Sequence, residues 1–137
     1  MYYLFLDDIR YPKDVKWVEL PLVEWVIVRN YNEFIKTIKK DGLPEFISFD
    51  HDLGIESMSA YNEFCHNYDN GILDNTYPNY ITMNEKTGFH CAKWLVEYCM
   101  DNKLKLPEYT IHSINIVGKS NIIGLLENFK KFSATIV

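Results

Sequence analysis

The acids of this chain fall into two tight groups. Asp7-Asp8 closes an apolar run, Tyr2 to Leu6, and Asp50-His51-Asp52 closes another, Phe46 to Phe49. A third polar group, His112-Ser113 with Asn115, ends a stretch that starts at Tyr109. Carboxylates brought together repel one another, and a cation is the natural compensation. Oxygen donors of this kind suit a hard divalent ion, Mg²⁺ or Mn²⁺, which keeps waters for a phosphate ligand. Read singly, each acid would only end a strand or cap a helix. The set Asp7, Asp8, Asp50 and Asp52 is what points to chemistry.

His51 sits between two of these acids and is placed to protonate a leaving oxygen, though alternation along a strand would instead turn it away from them. His112 reads equally as a catalytic group and as a core histidine satisfied by a hydrogen bond. Ser113 leads to Gly118, Lys119 and Asn121. Backbone N–H groups, a small glycine and a lysine at a helix start form a phosphate cradle. Cys91 and Cys99 follow apolar helical spacing and read as core, while His66 and His90 read as surface or packing residues.

Strands and helices must bring these groups together. Strands are expected over Tyr2 to Leu6, Val23 to Val28, Phe46 to Phe49 and Tyr109 to Ser113, with a connection from Ile9 to Pro21. Asn30 followed by Glu33 signals a helix start, and Tyr31, Phe34, Ile35 and Ile38 share one face, with Asp41-Gly42 as the stop. Met58, Tyr61, Phe64, Cys65 and Tyr68 predict a second helix, and Asp69 to Glu85 reads as loop. Thr87 caps a third, with Phe89, Ala92, Leu95, Val96, Cys99 and Met100 as its stripe. A last helix spans about Lys119 to Phe132, with Ile122, Leu126 and Phe129 inward. Alternating strands and helices predict a mainly parallel α/β sheet with helices on both faces. Such sheets bind ligands at the carboxyl ends of their strands, where all three polar groups lie.

The chain has 137 residues, which is the size of one domain. Its net charge of −5 argues against a duplex-DNA groove or a polybasic membrane surface. Three cysteines without C-x-x-C spacing favour a reducing compartment over a disulfide framework. With no basic flank before its first apolar run and no run long enough for a membrane helix, the chain is expected in the cytoplasm, the host's if it is viral. Its wealth of Asn, Ile, Lys and Tyr suits an AT-rich bacterial or phage genome.

The motifs in order are Leu4-Phe5-Leu6-Asp7-Asp8-Ile9-Arg10 with Pro12, Ser48-Phe49-Asp50-His51-Asp52-Leu53-Gly54, Thr87-Gly88-Phe89 with Ala92-Lys93-Trp94-Leu95, and His112-Ser113-x-Asn115-x-x-Gly118-x-x-Asn121. From residue 3 to about 125 the chain resembles the cyclic-phosphate processing receiver-like domains, relatives of two-component receivers. The resemblance implies a three-layer, flavodoxin-like fold with strand order 2-1-3-4 and activity on cyclic phosphates. It implies that Asp7, Asp8 and Asp50 hold the metal, that Asp50 matches the phospho-accepting aspartate, and that Ser113 matches the hydroxyl residue after the fourth strand. Arg10, Ser113, Asn115, Gly118, Lys119 and Asn121 form the expected phosphate-binding set, and Asp50, His51, Asp52 and His112 the expected catalytic set. Residues 55–86 read as an insertion after the third strand in a single domain, 1–137. The fifth strand of receivers, with its lysine, is expected to be missing, which argues against ordinary phosphorelay signalling.

The leading expectation is a metal-dependent phosphodiesterase or phosphatase acting on a cyclic nucleotide or an RNA end that carries a 2′,3′-cyclic phosphate. The alternative is a non-catalytic module that binds a nucleotide or a host protein, the latter through 55–86.

Overall fold

Parallel pairing runs through the apolar stretches. In a computed structural model that describes residues 1–72 and 85–135, the strands are β1 (Tyr3–Leu6), β2 (Trp25–Val28), β3 (Phe46–Phe49) and β4 (Glu108–Ile111). The helices are α1 (Tyr31–Asp41), α2 (Ile55–Asp69), α3 (Gly88–Asp101) and α4 (Ile116–Thr135). The strands form one parallel sheet in the order β2-β1-β3-β4. The expected loop between Asp69 and Glu85 lies largely in 73–84, outside the described residues; Asp69 itself ends α2.

Strand alternation divides the sheet into two unlike faces. Leu4, Leu6, Ile47, Phe49, Val28 and Ile111 point to one side, where Phe34 and Ile38 of α1, Cys91, Leu95 and Cys99 of α3, and Ile122, Leu126 and Phe129 of α4 complete the core. Burial pushes the Cys91 and Cys99 thiols up, so both are inert packing groups. The other side carries Tyr3, Phe5, Trp25 and Phe46, whose rings pack on one another, with Phe5 stacked on His112.

Helices were expected on both faces, in three layers; α1, α3 and α4 all pack on one. Crossover handedness explains this. The β2-to-β3 and β3-to-β4 connections move the same way across the sheet, so their helices fall on the same side. The β1-to-β2 connection moves the other way, and it holds only a short 3-10 turn at Pro12–Asp14. A loop and an aromatic layer stand where a helix would lie.

Several ends differ from the sequence expectation. β2 begins at Trp25 because it is an edge strand, and Leu22 and Val23 before it are exposed. His112 and Ser113 lie just beyond β4. Cys91, not Met100, completes the buried stripe of α3; Met100 lies a turn-step off that face and is exposed. On α2, Tyr61, Phe64 and Cys65 are half-buried, Met58 and Tyr68 are exposed, and none joins the central core. Asn30 caps α1 through the Glu33 N–H as expected, while Glu33 reaches back to the N–H of Arg29 rather than to the cap itself.

Candidate functional site

The sheet register places the acids. Tyr3 pairs with Phe46 and Phe46 with Glu108; two residues on, Phe5 pairs with Ser48 and Ser48 with Thr110. One more step along the same face reaches Asp7, Asp50 and His112. The ladder continues that far, since their N–H groups bond to the carbonyls of Val28, Leu6 and Phe49 respectively. Ligand atoms of these three buried side chains all lie within 4.8 Å of one another. The row stands at the carboxyl edge of the sheet, on the face opposite α1, α3 and α4.

Asp7 is held from four directions. Its Oδ1 accepts the N–H groups of Ile9 at 3.0 Å and Arg10 at 2.8 Å, which turns the chain out of β1. Its Oδ2 accepts from His112 Nε2 at 2.9 Å and faces Arg10 Nη1 at 3.6 Å. These bonds hold its carboxyl below the usual range although burial opposes them. An ionised carboxylate only accepts, so Nε2 carries the His112 proton, and Nδ1 accepts from the Ser48 hydroxyl at 2.7 Å. Burial pulls the His112 pKa down despite Asp7, which keeps the ring neutral. Both ring nitrogens are engaged, one by Asp7 and one by Ser48.

Asp50 is the strained member. Burial comes first, and the charges of Asp7 and Asp52 add to it, pushing its pKa up to about 8. Arg10 opposes the rise. Asp8, half-buried, is raised by burial and by Asp7. Asp8 lies outside the tight group of three. Two buried carboxylates, one of them costly to ionise, fit a divalent cation that would take their charge. Asp7 and Asp50 would hold it, with the neighbouring Asp8 as the third candidate ligand.

His51 faces the other way, as alternation allows. Its fully buried ring lies against Gly118 of α4, and its Nδ1 is 2.8 Å from Asp52 Oδ1. Asn115 donates to the same Asp52 oxygen at 3.0 Å. Asn115 also caps α4: its Oδ1 accepts the Gly118 N–H at 2.9 Å, and its own N–H bonds to Ser113 Oγ. The expected phosphate cradle is therefore not open at Gly118. That N–H is already used, the helix starts at Ile116 rather than Lys119, and the glycine makes room for the His51 ring. Lys119 is half-buried and Asn121 exposed on the first turns of α4. Among the described contacts of the acid row, neither takes part.

Three residues outside the expected set matter here. Ser48 completes the Asp7–His112–Ser48 chain; strand alternation, which puts it in step with Asp50, was the available signal. Arg29 Nη1 bonds to the carbonyls of Asp7 and Arg10 at 3.0 and 2.6 Å, and its guanidinium lies 4.7 Å from the Tyr11 ring centre. Trp17 Nε1 donates to the His112 carbonyl at 2.6 Å. No short motif announces these last two.

The family model for the cyclic-phosphate processing receiver domain matches residues 2–128. The chain belongs to that family. Neither a curated protein nor a solved structure matches it. In this cyclic-phosphate processing receiver domain, then, the acid row occupies the strand ends where open α/β sheets bind ligands.

The bonds of His112 carry a prediction. His112→Phe keeps a ring on Phe5 but leaves Asp7 and Ser48 buried with a partner removed. It is expected to lower stability by about 3 kcal/mol in denaturant unfolding. A loss below about 1 kcal/mol would show that these bonds do not hold the site.

Proposed function

We propose that this protein hydrolyses a cyclic phosphate diester, a cyclic nucleotide or a 2′,3′-cyclic phosphate RNA end, with a divalent cation held by Asp7, Asp8 and Asp50. The observation that carries this reading is the buried row Asp7–Asp50–His112 at the sheet's carboxyl edge, in a chain of the cyclic-phosphate processing family. A bound Mg²⁺ or Mn²⁺ would supply the positive charge that polarises a phosphoryl oxygen and acidifies a water.

The chain's own groups have separate tasks. Asp7, fixed by His112 and by two backbone N–H groups, keeps its carboxylate ionised. Arg10, partly exposed beside Asp7, binds a phosphoryl oxygen and stabilises the charge that builds there. Asp52 manages the proton. Its carboxylate lies near enough to raise the Asp50 pKa, and His51 and Asn115 orient it. His51 acts through Asp52 as a positioning residue. Water adds to phosphorus, the bond from phosphorus to one ring oxygen breaks, and that oxygen leaves with a proton, giving a phosphomonoester.

Phosphorus NMR tests this with Mg²⁺ and a panel of 2′,3′- and 3′,5′-cyclic nucleotides and cyclic-phosphate RNA ends. Ring opening by the wild type and its loss, by at least about 100-fold, in Asp50→Ala is the expected result. Turnover retained in Asp50→Ala would sink the assignment. Tight binding without ring opening would make the domain a binding module.

A further inference from the structure

We propose that Trp17 is a positioning residue that holds the Arg10 guanidinium beside the acid row as an anion clamp; this rests on the phosphate-directed reading above. Trp17 belongs to the loop that replaces a helix between β1 and β2. Its indole N–H is fixed to the His112 carbonyl at 2.6 Å, which ties this loop to the far end of β4. The Arg10 guanidinium lies over the ring, its central carbon 5.2 Å from the ring centre, and on its other flank Nη1 is 3.6 Å from Asp7 Oδ2.

The Arg10 main chain is pinned as well. Its N–H bonds to Asp7 Oδ1 at 2.8 Å, and its carbonyl accepts from Arg29 Nη1 at 2.6 Å. The base of the side chain is fixed, and its head rests between an aromatic face and a group of carboxylates. The Arg10 charge is felt at Asp8, Asp50 and His112.

A cation held by Asp7 and Asp50 would cancel much of the carboxylates' pull on the guanidinium. The indole face is then the contact that keeps a long, flexible side chain in place. Ordering it before a ligand arrives removes an entropic loss from binding. It also leaves the planar fork of N–H donors for phosphate oxygens. Trp17 is 45% exposed and adds little to the core, so its contribution lies in the two groups it touches.

The test titrates inorganic phosphate into the Mg²⁺-saturated protein by calorimetry, with Mg²⁺ alone measured in parallel. The variants are Arg10→Ala, Trp17→Ala, Trp17→Phe and the Arg10→Ala/Trp17→Ala pair. Trp17→Ala is expected to weaken phosphate binding about tenfold and to leave Mg²⁺ affinity unchanged. Trp17→Phe, which keeps a ring in the loop, recovers part of the loss. The double variant binds no more weakly than Arg10→Ala alone, because the ring acts through the guanidinium. Losses that multiply, or wild-type affinity in Trp17→Ala, would overturn the proposal and leave the phosphate reading intact. Wild-type affinity in Arg10→Ala would remove the clamp altogether. No phosphate binding by the wild type would overturn the phosphate-directed reading and this inference with it.

Discussion

Asp50→Asn is expected to make the metal-free protein more stable, by roughly 10 °C in melting temperature at pH 7 to 8. The reason is linkage. A buried carboxyl with its pKa at about 8 holds its proton in the folded state, while in the unfolded chain it ionises near the usual 3.8. Between those values the folded state binds more protons than the unfolded one. Stability therefore falls as pH rises from about 4 to about 8 and levels off above that. By pH 7 the accumulated loss is on the order of 4 kcal/mol. Asn keeps the shape and cannot ionise. The gap between wild type and Asp50→Asn should open with pH and nearly close at about pH 4. Asp8, also raised, contributes with the same sign. Asp7 contributes with the opposite sign, because its lowered pKa gives stability that is present at neutral pH and lost only in acid.

The same arithmetic governs the cation. Asp50 must release its proton to become a ligand, so Mg²⁺ affinity should rise about tenfold from pH 6 to 7 and about fivefold from pH 7 to 8, with close to one proton released per ion at pH 6 and about half at pH 8. Millimolar Mg²⁺ should then raise the melting temperature of the wild type and not that of Asp50→Asn, narrowing the gap between them. Melting curves in a chelator and in Mg²⁺, at pH 5, 6, 7 and 8, provide the check. Equal stability of the two chelated proteins at pH 8 would mean that Asp50 is not strained as its surroundings indicate.

The acids were legible in the sequence because they end apolar strands, and position along a strand survives any detail of packing. The strand order followed from the family motifs, and Phe46–Phe49 is the observed third strand. Less visible was which side chains share a face. Alternation groups Asp7 with Asp50 and His112, and sets His51 apart, but only once the register between strands is known. That α1, α3 and α4 share one face was hidden because Tyr3 and Phe5 are apolar for a different reason: they stack in an aromatic sheet face with Trp25 and Phe46. The packing of Gly118 on the His51 ring was not legible because glycine at a helix start also suits a phosphate cradle. Trp17 and Arg29 act through ring faces and backbone carbonyls, contacts that leave no spacing pattern.

Gly118 supplies the other large effect. A Cβ there would overlap the His51 ring, which is fully buried and tied to Asp52. Neither the ring nor the capped first turn of α4 has room to yield, so Gly118→Ala is expected to destabilise the protein by about 3 kcal/mol. Gly124, further along α4, is exposed and meets nothing within 4 Å at its Cβ position. Gly124→Ala should stabilise by about 0.5–1 kcal/mol, since alanine is the better helix former. Opposite signs in one helix separate the local clash from general helix propensity. A double-mutant cycle identifies the partner: in a His51→Ala background the ring is gone, and Gly118→Ala should then be nearly neutral. Urea unfolding of the four proteins gives the coupling directly. A Gly118→Ala loss that persists at full size without the His51 ring would show that the glycine serves the backbone of α4 and not the contact with His51. If the coupling is large, Gly118→Ala should also weaken Mg²⁺ binding, because the displaced ring shifts Asp52 next to Asp50.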